Sequence, residues 1–334
     1  MFSSGYAGRG AHAGGLWRVS ALRINTRLVT QYRPGLGEVQ ARSRAASPLD
    51  PVFRPYARRL RPAWPDRPIG KPLVYSTLFG SDFYEDCLDL TLMSLHRYGG
   101  YRGDVLLLTD RPAAGLRRRF GPYVAGELTI QPIDYADLDT AMLQRFRLAE
   151  FGVAAQGPFL HLDSDILVLA PVAPLLAAAS ASDKLLIATE DRFCPGYHGV
   201  AAQDLPEDGV TDWYGVWLMK QRASAIAQLR FANAGAFAFG RLAPFAALFA
   251  EVLEIGLAQR GTRFAHFGDQ PIFNILLHEQ NIADFTTLDA MMDYLRPVSR
   301  PSRGRLMHFN SMQGGAAKYH AMRAFLDACA VADD

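Results

Sequence analysis

Phe159-Leu160-His161-Leu162-Asp163-Ser164-Asp165-Ile166-Leu167-Val168-Leu169 sets two acids inside an otherwise apolar run. Entered from Gly157-Pro158, its first four residues have the length and character of a buried strand. In extended backbone, residues two apart share a face. Asp163 and Asp165 are therefore expected to point the same way, with backbone positions about 6–7 Å apart. Two neighbouring carboxylates repel, and keeping both ionised beside a buried strand requires a compensating positive charge. A hard divalent cation supplies one, commonly through one or two protein carboxylates and the phosphate oxygens of a substrate. On an open α/β sheet, ligands sit beyond the carboxyl ends of the strands, which is where this pair falls.

The surrounding sequence supplies such a sheet. Leu73–Leu78 is a short apolar β-prone run, followed by Gly80-Ser81-Asp82 and a helical stretch through Arg97. Val105–Thr109 and Leu128–Ile130 read as further strands, with a helical segment at 115–120 between them. A helix over Leu138–Phe151 leads into the aspartate strand. Leu185–Thr189 and Phe231–Phe239 are strands, the second buried on both faces. Pro271–Leu277 fits either a helical turn or a strand, Leu306–Phe309 is a last short strand, and Ala316–Ala330 is helical. This alternation predicts an α/β fold with a mostly parallel, Rossmann-like sheet flanked by helices.

Order is expected to begin near residue 71. Residues 1–70 hold twelve arginines against Glu38, Asp50 and Asp66, so the net +2 of the chain divides into +9 before residue 71 and −7 after it. This basic segment is also rich in Gly, Ala, Ser and Pro without sustained periodicity, and reads as a largely irregular extension. It is either a solvated extension or a tether for an anionic surface. The globular domain is placed at 71–330. Cys87, Cys194 and Cys329 are odd in number and widely spaced, which suggests neither a disulfide framework nor a cysteine zinc site. With no apolar run of about 20 residues and no signal-peptide pattern, the expectation is a cytoplasmic protein without a transmembrane segment. No nucleic-acid partner is expected.

The motifs from 73 to 320 resemble, in order, those of nucleotide-sugar glycosyltransferases of GT-A fold, especially the family 8 and glycogenin-like enzymes. Their mark is an apolar strand ending in Leu-Asp-x-Asp, here Leu162-Asp163-Ser164-Asp165. The opening strand with Thr77, followed by Tyr84, resembles the segment that cradles base and ribose. Arg147 resembles the basic residue placed over the donor. Phe231-Ala232-Asn233-Ala234-Gly235 is similar to the Phe-Asn-x-Gly segment used against the donor sugar, with an Ala inserted. Asp269-Gln270 with Asn274 resembles Asp-Gln-x-x-x-Asn, whose acid and amide meet the transferred sugar. His308-Phe309, then Gly314-Gly315 and Lys318, resembles His-Phe-x-Gly-x-x-Lys, with a longer gap between His and Gly.

The resemblance implies a hexosyltransferase-like enzyme moving a sugar, with retention, from a nucleotide-diphosphate donor such as a UDP-sugar to a saccharide, lipid or protein acceptor. It implies a metal held by Asp163, Asp165 and His308. It further implies donor contacts from Thr77, Tyr84, Arg147, Ser164, Gly235, Gly315 and Lys318, and a catalytic set of Asn233, Asp269, Gln270 and Lys318. An imidazole beside two carboxylates favours Mn²⁺ over Mg²⁺. The ion and Lys318 would offset charge gathering on the diphosphate as the sugar departs.

Several of these residues have structural alternatives. His308 could be a hydrogen-bonded core residue, Asp269 could cap the helix that Pro271 opens, Asn233 and Gly235 could serve a close backbone approach, and Arg147 could pair with Glu150. His161 is read as structural. Trp213 and Trp217 are a candidate aromatic face for an acceptor. Asp163-Ser164-Asp165 after an apolar strand also resembles haloacid-dehalogenase-like phosphatases, although Leu167 stands where that pattern wants Thr or Val. A non-catalytic sugar-nucleotide-binding protein of the same fold is a further alternative.

Overall fold

A computed structural model describes residues 71–331 apart from 136, 154–155, 192–193, 198, 263, 295–305 and 311–314. The proposed extension over residues 1–70 lies outside the described residues.

Strand β1 (Leu73–Leu78) is followed by helix α1 (Asp82–Arg97), β2 (Asp104–Thr109), α2 (Ala113–Phe120), β3 (Leu128–Pro132) and α3 (Leu138–Leu143). A 3-10 stretch over Gln144–Phe151 leads to β4 (Phe159–Leu162) and β5 (Ile166–Val168). Then come α4 (Ala173–Ala181), β6 (Leu185–Thr189), α5 (Val216–Gln221), β7 (Ala232–Phe239), α6 (Ala246–Ala258) and α7 (Gln270–Glu279). Short strands β8 (Ala283–Asp284), β9 (Met292–Tyr294) and β10 (Leu306–His308) precede the last helix, α8 (Gly315–Val331).

Seven strands form the main sheet in the order β3-β2-β1-β4-β7-β6-β8. All run parallel except β7, which is antiparallel to both β4 and β6. The α/β class and mostly parallel, helix-flanked sheet expected from the sequence are thus observed. The ambiguous segment at 271–277 is helix α7; Gln270 and Pro271 open it, where the missing N–H of proline does no harm.

Period-two alternation explains the layering. On β1, Leu73 and Tyr75 join one apolar cluster while Val74 and Leu78 join the other. The same division separates Leu106 and Leu108 from Val105 and Leu107 on β2. One face packs on α6 and α7 through Phe146, Phe237, Phe249 and Phe273. The other is covered by α1, α2 and α4. On β7 the division is also one of size, with Phe237 and Phe239 on the first face and Ala236 and Ala238 on the second.

A smaller sheet, β5-β10-β9, stands apart. The chain passes directly from β4 in the main sheet to β5 in the small one, and residues 163–165 make the turn between them. A third apolar cluster, with Cys87, Leu167, Met307, Phe309 and Phe325, seats α8 against α1 and the small sheet. Cys87 and Cys194 are both buried. No described helix is long and apolar enough to cross a membrane.

Candidate active site

The Asp163–Asp165 turn is fixed by its backbone. Asp163 N–H donates to the Gly235 carbonyl at 2.8 Å, Thr91 Oγ1 to the Ser164 carbonyl at 2.8 Å, and Phe309 N–H to the Asp165 carbonyl at 3.0 Å. The two acids therefore do not extend the strand as the alternation predicts. Because the chain changes sheets there, it turns, and the two side chains acquire separate partners. His308 pairs in register with Ile166 across the β5–β10 ladder, which brings its Nε2 to 3.1 Å from Asp165 Oδ1. Ligand atoms of Asp163, Asp165 and His308 all lie within 4.8 Å of one another, the one such acid and histidine group among the described residues.

Asp165 is almost wholly buried, ion-paired to Lys318 and in contact with His308 Nε2. Burial opposes its charge, but the Lys318 ammonium and His308 outweigh it and hold the carboxyl far below the usual carboxylate range. Burial likewise works against charge on Lys318, and Asp165 raises its pKa nonetheless. Lys318, expected at the diphosphate, is thus seated on an aspartate of the turn.

Asp163 has a different pair of partners. Arg145 Nη1 and His161 Nε2 both stand 3.1 Å from its Oδ1. Arg145 is buried in the 3-10 stretch, also donates to the Ala234 carbonyl at 2.8 Å, and places Nε 3.5 Å from Asp269 Oδ2. One guanidinium therefore faces two carboxylates. Burial raises Asp269 to about 6 against the pull of Arg145. On Asp163, burial is outweighed by Arg145 and His161, so its pKa falls. Burial takes His161 down to about 4, so its imidazole is neutral at pH 7.

Two residues differ here from their sequence reading. Arg147 lies outside this cluster: its guanidinium pairs with Glu150 at 2.6 Å and reaches Gln144 at 3.0 Å. The arginine that faces Asp163 and Asp269 is Arg145, two positions earlier. His161, read as structural, is a partner of Asp163. The signals were present, since Arg147 and Glu150 have the spacing of a solvated helical pair and His161 shares the strand face of Asp163 by alternation.

The remaining positions gather around the same edge. Asn233 is buried, and its Oδ1 accepts from Gly235 N–H at 2.9 Å. Gln270 Oε1 accepts from Ala234 N–H at 3.3 Å, leaving Nε2 buried without a partner. Asp269 starts α7 but makes no capping hydrogen bond, because its carboxylate is turned to Arg145. Asn274 ties β7 to the 3-10 turn at 212–214, accepting from Ala232 N–H and donating to the Tyr214 carbonyl. Thr77 closes the ligand end of β1, paired with Leu108. Tyr84 sits half-buried in the first turn of α1. Ser164 is half-buried in the turn. Gly315 opens α8 against Ser81 and Phe83, where a Cβ would stand 2.7 Å from Phe83 Cβ. Trp217 is core, stacked on Phe264 at 3.9 Å, whereas Trp213 is 40% exposed.

The donor set suits a divalent ion: two carboxylates, one imidazole, and a buried His308 Nδ1 with no hydrogen-bond partner. Gly235 is the seat of that imidazole. A Cβ there would lie 2.3 Å from His308 Cε1 and 3.0 Å from Nδ1, so only glycine admits the histidine.

No protein-family model matches the chain, and no curated protein matches it. Among solved structures, the chain is similar to mouse xyloside xylosyltransferase 1, at 12% identity and TM-score 0.43, covering 73% of this chain and 98% of that one. It is also similar to the WbbM bifunctional glycosyltransferase, at 15% identity and TM-score 0.46, covering 78% of this chain and 45% of WbbM, less than half of that protein's length. What the site can do is set by its own side chains.

Proposed function

We propose that this chain is a GT-A-type, metal-dependent glycosyltransferase, family 8 or glycogenin-like, that takes a sugar from a nucleotide diphosphate, with UDP as the nucleotide. The observation that carries the proposal is the convergence of Asp163, Asp165 and His308 within 4.8 Å at the carboxyl edge of a mostly parallel sheet. Asp163, Asp165 and His308 would hold the ion, with Mn²⁺ favoured by the imidazole. When bound, that ion supplies Lewis-acid compensation for charge on the diphosphate.

The chain's own residues supply the rest. Lys318, held beside Asp165, is the cation available to a phosphate oxygen, and Thr77, Tyr84, Ser164 and Gly315 border the nucleotide. Asn233, Asp269 and Gln270 lie on the β7 and α7 side, where the sugar would rest. Buried Gln270 Nε2 is a donor without a protein partner, suited to a sugar hydroxyl. Arg145 keeps Asp163 ionised and ties it to Asp269, coupling the metal side to the sugar side. Retention of configuration follows the resemblance.

Calorimetric titration of UDP with and without Mn²⁺ tests the reading. Metal-dependent binding is expected for the wild type and its loss in both Asp163→Asn and Asp165→Asn. No binding by a well-folded wild type would overturn the UDP assignment and direct the search to GDP, then to phosphatase substrates.

A further inference from the structure

A second cavity opens beside this site. Its volume is about 470 Å³, and it is lined by residues from the end of β6 and the loop that follows it, the residues leading into β7 and the loop after β8, including Thr189, Asp191, Tyr197, Arg230, Phe231 and Asp289. Small-molecule sites occupy roughly 300–1,000 Å³, so it has the size of one. Its position relative to the aspartates is fixed by β7. Phe231 borders the cavity, Asn233 follows two residues on, and Gly235 seats His308. At about 3.3 Å per residue, Asn233 is roughly 7 Å and Gly235 roughly 13 Å along the strand from Phe231. The cavity, the sugar-side residues and the metal-side residues thus follow one another along a single strand.

The lining has a definite chemistry. Arg230 is ion-paired to Asp191, whose Oδ1 also accepts from Phe231 N–H at 2.6 Å. Asp289 Oδ1 accepts from both the N–H and the hydroxyl of Thr189, at 2.8 and 3.0 Å. Two carboxylates against one guanidinium leave the cavity net negative, which disfavours a phosphorylated or carboxylated ligand. Carboxylates accept well from hydroxyls. The rings of Tyr197 and Phe231, with centroids 5.9 Å apart, offer apolar surface to C–H faces. Tyr214 stacks on Phe231 at 4.3 Å and donates to Glu190 at 2.5 Å, which fixes the Phe231 ring from behind.

We infer that this cavity is a subsite for a neutral saccharide, and, resting on the glycosyltransferase reading above, that the saccharide is the acceptor. A sugar lying over Asn233 would then sit between the metal-bound diphosphate and the acceptor, and retention requires the acceptor hydroxyl to reach the anomeric carbon on the face from which the diphosphate departs. In the transfer, the acceptor oxygen bonds to the anomeric carbon, the bond from that carbon to the diphosphate breaks, and the acceptor's proton leaves with the released diphosphate or to solvent.

The test is saturation-transfer NMR on the full chain with UDP and Mn²⁺ present. The probes are the neutral methyl glucoside, galactoside and mannoside, with methyl glucuronide as the anionic counterpart. Gln228, exposed at the rim, is changed to Trp to fill the cavity from its mouth. Saturation transfer to at least one neutral glycoside but not to the glucuronide, lost in Gln228→Trp while that variant titrates UDP like the wild type, is the expected result. A folded wild type that gives no signal with any neutral glycoside overturns the inference, as does equal signal in the two proteins. Glycoside binding that is lost in Gln228→Trp without any UDP binding upholds the saccharide site and overturns only the donor reading.

Discussion

His161 and Asp269 both contact Arg145, and burial shifts each toward its neutral form. The two shifts act oppositely on stability. Asp269, raised to about 6 from an ordinary 3.8, makes the folded state the tighter proton binder, so its contribution falls as pH rises from about 4 to about 6. His161, lowered to about 4 from 6.5, makes the unfolded state the tighter binder, so its contribution rises across nearly the same window. Each amounts to about 3 kcal/mol at 1.36 kcal/mol per unit, and together they nearly cancel. Asp269→Asn is therefore expected to show stability rising steeply between pH 4.5 and 6.5, and His161→Gln to show it falling. Urea unfolding at intervals of pH checks both; parallel profiles for the two variants would contradict the account. That pairing could not be read from residues 108 positions apart in sequence, although each residue alone was visible.

Strand β7 assembles the site as an element. It runs against its neighbours, so its first residues rather than its last reach the ligand edge, and Gly235 arrives beneath His308. Gly235→Ala is expected to displace the imidazole, because the new methyl would stand 2.3 Å from Cε1, a distance no side chain tolerates. The expected outcome is weaker Mn²⁺ binding with β7 intact, read by metal titration beside far-UV circular dichroism; unchanged affinity would remove His308 from the metal set. Much of the element pattern was legible. Apolar runs such as Leu73–Leu78 and Leu185–Thr189 announced strands, and Asn233 and Gly235 were singled out within a run buried on both faces. The direction of β7 was not legible, since a strand hydrophobic on both faces has the same pattern either way. Nor was the turn at 163–165, because alternation assumes that extended backbone continues and carries no sign of a change of sheet. Arg145 was overshadowed by Arg147, whose helical spacing to Glu150 marks it as solvated and leaves the buried position to its neighbour.

Across the whole molecule, the composition break near residue 70 separates a strongly basic segment from an acidic remainder. We propose that the break is also functional: a chain beginning at Lys71 is expected to keep metal-dependent UDP binding, with calorimetry on the truncated protein as the check and loss of binding by a folded truncation as the contrary result. Within the described residues, the site lies where two sheets meet, and the hydrogen bond from Phe309 N–H to the Asp165 carbonyl carries the β5–β10 ladder on to the backbone of the second aspartate. That bond, together with the β5–β10 ladder around it, gives the site a clock. Amides so placed exchange with deuterated water only when a large part of the fold opens, so the Phe309 amide is expected among the slowest protons in the protein. A cation that bound there would meet a backbone already in place and would leave it standing on departure.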